Sequence, residues 1–135
     1  MIYPMFAMVL LTFGVLLFAF AQRVRAVRSK AVKISYFRTM QGGEVPAHLV
    51  ASTRHFANLF EMPVLFYAVC LLAMVLRTES PLLPVLAWLY VALRVVHTVI
   101  HLGYNNVMHR MLAFFLSCTV LLVMWLVVVF NAQQV

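Results

Sequence analysis

Residues 82–102 read LLPVLAWLYVALRVVHTVIHL, and within these twenty-one residues Arg94, His97 and His101 are the only Arg, Lys, His or acidic side chains. At about 1.5 Å rise per residue an α-helix of this length covers the roughly 30 Å hydrocarbon thickness of a bilayer. Such a stretch predicts a membrane span, opened by Ser80 as helix cap with Pro81 at the first helical position. Its three polar residues are spaced i, i+3, i+7, so at about 100° per residue they share one face.

Working outward, residues 2–21 form an uncharged first span and residues 111–130 an uncharged fourth. The basic run Arg23, Arg25, Arg28, Lys30 follows the first span rather than preceding it, the reverse of the charge order of a cleaved signal peptide, so a retained span is expected. The apolar run from Met62 to Leu76 is too short alone, so a second span, residues 53–76, must draw Arg54, Asn58 and Glu61 into the membrane. The fold class expected is an all-α integral membrane protein: one domain, residues 1–135, built as a four-transmembrane-helix bundle. Composition agrees, with 66% apolar residues and 10% charged and a mean hydropathy of +1.03, well outside globular usage. The ten-residue alternating pattern of an outer-membrane barrel is absent.

Ten Lys and Arg against three acids (Glu44, Glu61, Glu79) give a charge of +7. In so apolar a chain this points to anionic lipid headgroups and not to nucleic acid. Six of the ten basic residues, Arg23, Arg25, Arg28, Lys30, Lys33 and Arg38, fall between the first two spans. The positive-inside rule therefore puts the first loop in the cytoplasm, the third loop with it, and both termini on the opposite side. Gly42, Gly43 and Pro46 predict a turn in the long first loop. Cys70 and Cys118 lie inside apolar runs and read as packed residues.

An ionised side chain at a helix centre costs roughly 2.5–3.5 kcal/mol on insertion scales, so Arg54, Glu61 and Arg94 must face protein, water or one another. Arg54, Asn58 and Glu61, at i, i+4, i+7, form a stripe on span two that matches the one on span three. Arg54 enters its span from the same side toward which His101 leaves, so the two stripes occupy similar depths. They predict a polar pocket open to the cytoplasm; the competing reading is an ion network that only fixes helix packing. Pro63 cannot donate to the Leu59 carbonyl and permits a kink beside Glu61. His97 and His101 could seat zinc, but no third ligand stands at a helical spacing, and no metal is expected. His48, His55 and His109 read as ordinary histidines near loops. Tyr104 and Asn105-Asn106 read first as interfacial anchor and turn.

The pattern Arg54-x3-Asn58-x2-Glu61 followed by Pro63, then Arg94-Val95-Val96-His97-Thr98-Val99-Ile100-His101-Leu102-Gly103 and Arg110, resembles the MAPEG family, the membrane-associated proteins in eicosanoid and glutathione metabolism. The likeness covers nearly the whole chain and looks most like a bacterial-type member near the microsomal glutathione transferases and prostaglandin E synthases. It implies a homotrimer binding glutathione as co-substrate near the cytoplasmic face. It also implies roles: Glu61 for the glutathione amino group, Asn58 and His97 for the peptide, Arg23, Arg54 and Arg94 for carboxylates or bracing, and Arg110 as the catalytic residue stabilising the thiolate. His101 stands where the family carries an aromatic hydroxyl, Met111 where a serine follows the arginine, and Ala57 where a second basic residue precedes the asparagine. These departures argue against prostaglandin isomerase chemistry. Tyr104, one turn on, is the remaining candidate for a hydroxyl.

Two functions are thus expected to compete. The first is a glutathione-dependent transferase or peroxidase that takes its lipophilic electrophile from the bilayer. The second is a non-catalytic trimer holding an anionic small molecule or lipid headgroup in the same pocket.

Overall fold

The computed structural model describes residues 1–39 and 45–132. The predicted turn at Gly42 and Gly43 lies outside the described residues. Six helices follow one another: α1 (Ile2–Arg28), α2 (Tyr36–Thr39), α3 (Ala47–Asn58), α4 (Met62–Val75), α5 (Leu82–Leu102) and α6 (Val107–Ala132). With α3 and α4 taken as one interrupted stretch, four segments are long and apolar enough to cross a membrane. Each is buried inside the chain over a minority of its length, as expected of helices whose outer faces meet lipid.

The third span keeps its predicted limits of 82 and 102. Its entry differs, because Pro81 occupies the capping position and Ser80 contributes its backbone carbonyl to the Leu83 N–H at 3.3 Å. The other spans are longer than expected. α1 runs seven residues past Ala21, so Arg23, Arg25 and Arg28 sit on a helical extension rather than in a loop. α6 begins at Val107, four residues before Met111, because the Asn106 Oδ1 accepts the N–H groups of Met108 and His109 at 3.0 and 3.1 Å and so caps the helix.

Span two begins at Ala47, not Thr53, and is interrupted outright where a kink was expected. Pro63 is the second residue of α4, lacks the N–H that the Leu59 carbonyl would receive, and disfavours helical geometry at Met62. The last turn of α3 therefore tightens into short-range bonds, Phe60 N–H to Ala57 O at 3.0 Å and Glu61 N–H to Asn58 O at 3.3 Å. Glu61 then turns the chain (φ −97°, ψ −94°) into α4.

The apolar core fills the half of the bundle beyond this break. Met8, Phe66, Val69, Ala87, Tyr90, Met124 and Val128, from α1, α4, α5 and α6, are all essentially inaccessible. Phe66 and Tyr90 stack at 4.4 Å with an interplanar angle of 14°. On the other side of the break the facing surfaces of α3 and α5 turn polar.

Candidate functional site

The two predicted stripes meet. Arg94, with no accessible surface, donates from Nη2 to Asn58 Oδ1 at 2.7 Å and to the Asn58 carbonyl at 3.5 Å. Asn58 in turn donates from Nδ2 to Glu61 Oε2 at 3.3 Å. The amide thus links the buried guanidinium to the carboxylate, and its orientation is fixed by both. Arg94 Nε and Nη1 have no hydrogen-bond partner, and the guanidinium carbon stands 5.9 Å from the Phe114 ring centroid.

Above this contact the helices part around a cavity of about 500 Å³, within the usual size of small-molecule sites. Arg54, Asn58 and Glu61 line it from span two, His97 and His101 from α5, and Arg110 from the first turn of α6. Ala57, Val107, Met111 and Phe114 complete an apolar wall. Asn105, in a left-handed conformation (φ 48°) that asparagine tolerates, accepts the Arg110 Nη1 at 3.0 Å through its Oδ1 and so aims the guanidinium. The α6 N-terminus adds the positive end of a helix dipole on the same side.

Six of the nine sequence-predicted residues therefore line one cavity. The other three do not. Arg94 lies behind Asn58 and acts as a brace. Arg23 donates to Thr53 Oγ1 at 3.4 Å, on the seam between α1 and α3. Tyr104 pairs its hydroxyl with His109 Nδ1 at 3.0 Å in the exposed α5–α6 turn and is not among the residues that line the cavity.

His55 is the residue the sequence reading missed. It is fully buried and shares Nε2 with Thr98 Oγ1 at 2.9 Å. Thr98 itself donates to the Arg94 carbonyl at 2.8 Å. The His55 ring lies 5.3 Å from that of His97 and 4.9 Å from that of His101, and Nδ1 of all three histidines lacks a partner. Even so, among the described residues no set of three His, Cys, Asp or Glu side chains is disposed to hold a metal. The available signal was position: His55 follows Arg54 directly, and with α3 starting at Ala47 it sits two turns inside the helix.

Fold and site together define a polytopic helical membrane protein with a polar chamber cut into one half of its bundle. The profile of the MAPEG family matches residues 1–130, and the chain belongs to that family. Comparisons with curated proteins and with solved structures found no match.

Proposed function

We propose that the protein is a glutathione-dependent transferase or peroxidase that joins a thiolate, formed in the polar chamber, to a lipophilic electrophile arriving from the bilayer. The carrying observation is charge. Arg54 and Arg110 line the cavity, Arg94 backs it, and Glu61 is the carboxylate among them, so the group holds three positive charges against one, a surplus of two. Glutathione carries two carboxylates and one ammonium, and its thiolate form has a net charge of −2. Binding the thiolate therefore neutralises the site, which in a low-dielectric setting favours that form over the thiol.

Each residue acts through its position. Glu61 receives the ammonium, while Asn58, fixed by Arg94, and His97 hold the peptide. Arg54 meets a carboxylate. Arg110 faces the sulfur. A free thiol titrates near pH 8.5, and a guanidinium alongside lowers that by about one to three pH units, so more nucleophile is present at neutrality. The thiol proton leaves to water, the sulfur forms a bond to the electrophilic carbon, and the leaving group departs with the bonding pair. Met111 and Phe114 offer the apolar surface for the electrophile. With a hydroperoxide, two glutathione molecules give one disulfide, the alcohol and water. The family resemblance supports a homotrimer with the chamber open to the cytoplasm.

The test is direct. Purified protein in detergent, given glutathione, should show thiolate ultraviolet absorbance and form a conjugate with an activated aromatic halide. Absence of both signals relative to Arg110→Ala would remove the reading. A non-catalytic site for an anionic lipid headgroup or small molecule is the second reading, favoured by one observation: among the described residues no hydroxyl side chain lines the cavity. Native mass spectrometry separates the two, since a bound lipid that resists excess glutathione supports the second and its displacement supports the first.

A further inference from the structure

Arg110 has only N–H donors and no acceptor, so it can hold a thiolate but cannot take the thiol proton away. Arg54 shares that limit. Of the other polar groups on the chamber wall, Asn58 is held between Arg94 and Glu61, Glu61 receives the ammonium and His97 the peptide. Among the described residues this leaves His101, on the last turn of α5, as the chamber-lining group free to accept a proton.

The buried His55 behind it fixes which nitrogen would do so. Thr98 has one hydroxyl proton and gives it to the Arg94 carbonyl at 2.8 Å. Its oxygen also meets His55 Nε2 at 2.9 Å, and both contacts hold at once only if Nε2 carries a hydrogen and donates. The neutral His55 ring therefore has its lone pair on Nδ1, which is buried without a partner, as is Nδ1 of His101. Two imidazoles joined by one N–H···N bond have ring centres about 5 Å apart, one hydrogen-bond length plus two ring radii. The centroids of His55 and His101 are 4.9 Å apart. The two orphaned atoms are complementary when His101 carries its hydrogen on Nδ1, which leaves its Nε2 as the basic nitrogen. The other charged groups around this pair are Arg54 and Glu61 of span two and Arg110 of α6, while Arg94 lies behind Asn58 and Arg23 of α1 is turned to Thr53.

We propose that His101 is a catalytic residue that takes the thiol proton on Nε2, and that His55 is the positioning residue that keeps this nitrogen unprotonated at rest. The step rests on the thiol reading given above. The S–H bond breaks, its electron pair stays on sulfur beside Arg110, and the proton bonds to His101. The imidazolium then passes the proton to chamber water and returns to its resting form.

Full-length protein in detergent, mixed rapidly with saturating glutathione, is followed by thiolate ultraviolet absorbance. His101→Phe should slow its appearance about 100-fold, within the usual contribution of a general base, yet reach the same final absorbance, which Arg110 sets. In His101→Ala, added imidazole should restore the rate in proportion to its concentration. His55→Phe should cost about tenfold, and His55→Asn, which keeps an acceptor near the place of Nδ1, should recover most of it. Without any thiol, nitrogen-15 spectra of the histidines should show His55 protonated at Nε2 and His101 at Nδ1. No thiolate from the unaltered protein would remove the thiol reading and the step with it. Thiolate formed at the unaltered rate in His101→Phe, no response to imidazole, or the opposite tautomer at either histidine would overturn the proposal and leave the thiol reading standing.

Discussion

Asn58→Ala is the perturbation whose size follows most directly from the structure. Of the three guanidinium nitrogens of Arg94, Nη2 alone is hydrogen-bonded, and its short contact is the 2.7 Å bond to Asn58 Oδ1. A hydrogen bond to a charged group is worth about 1.5–3 kcal/mol, and a buried charge left without it forfeits that amount. The second bond lost, Asn58 to Glu61, is solvent-exposed and contributes little. Asn58→Ala should therefore lower stability by about 1.5–3 kcal/mol, or roughly 10- to 150-fold in the unfolding equilibrium. The assay is reversible unfolding in mixed micelles, run as a cycle with Arg94→Met. Removing Arg94 deletes the stranded charge, so in that background Asn58→Ala should cost under about 0.5 kcal/mol, the scatter expected of independent sites. Equal costs in the two backgrounds would refute the claim that the amide serves the buried guanidinium.

Further outcomes are specific. Asn106→Ala removes the two capping bonds at the start of α6 and should destabilise by about 1 kcal/mol, read as a lower thermal midpoint in detergent. In Gly103→Ala the new Cβ would meet the Val99 carbonyl oxygen at 2.7 Å, a backbone atom that cannot swing aside. A loss of about 1–3 kcal/mol is expected, the usual cost of overpacking; an unchanged midpoint would contradict the turn geometry. Arg110→Ala should raise the pH at which bound glutathione ionises by about one to three units, followed by thiolate absorbance across a pH titration. Pro63→Ala restores an amide at the break and should weaken glutathione binding with little loss of stability, measured by calorimetry beside an unfolding curve.

What the sequence made legible was set by local periodicity. The limits of α5 and the faces of both polar stripes follow from spacing alone, and the Arg94–Asn58 contact confirms that those faces meet. Pro63 signalled a distortion, but its depth depends on the conformation taken by Glu61, which no spacing rule supplies. His55 was discounted because span two was counted from Thr53; hydropathy underweights His48 and the small residues that open α3, so the helix began too late and His55 looked peripheral. The early start of α6 was available in Asn106, a good capping residue read only as a turn. Arg23 was placed at the chamber by the family resemblance and not by spacing, and within the chain the side of α1 on which it lies directs it to Thr53. Spacing likewise could not show that the Tyr104 hydroxyl pairs with His109, since the direction of a turn residue is set by its neighbours.

The central claim is that the two hydrophilic rows enclose a chamber that receives glutathione. A structure determined in lipid nanodiscs at saturating glutathione tests it most directly. The account predicts tripeptide-shaped density bounded by Arg54, Glu61, His97 and Arg110, with the sulfur nearest Arg110. A chamber closed by its own side chains, or filled by a lipid headgroup that glutathione does not displace, would contradict it.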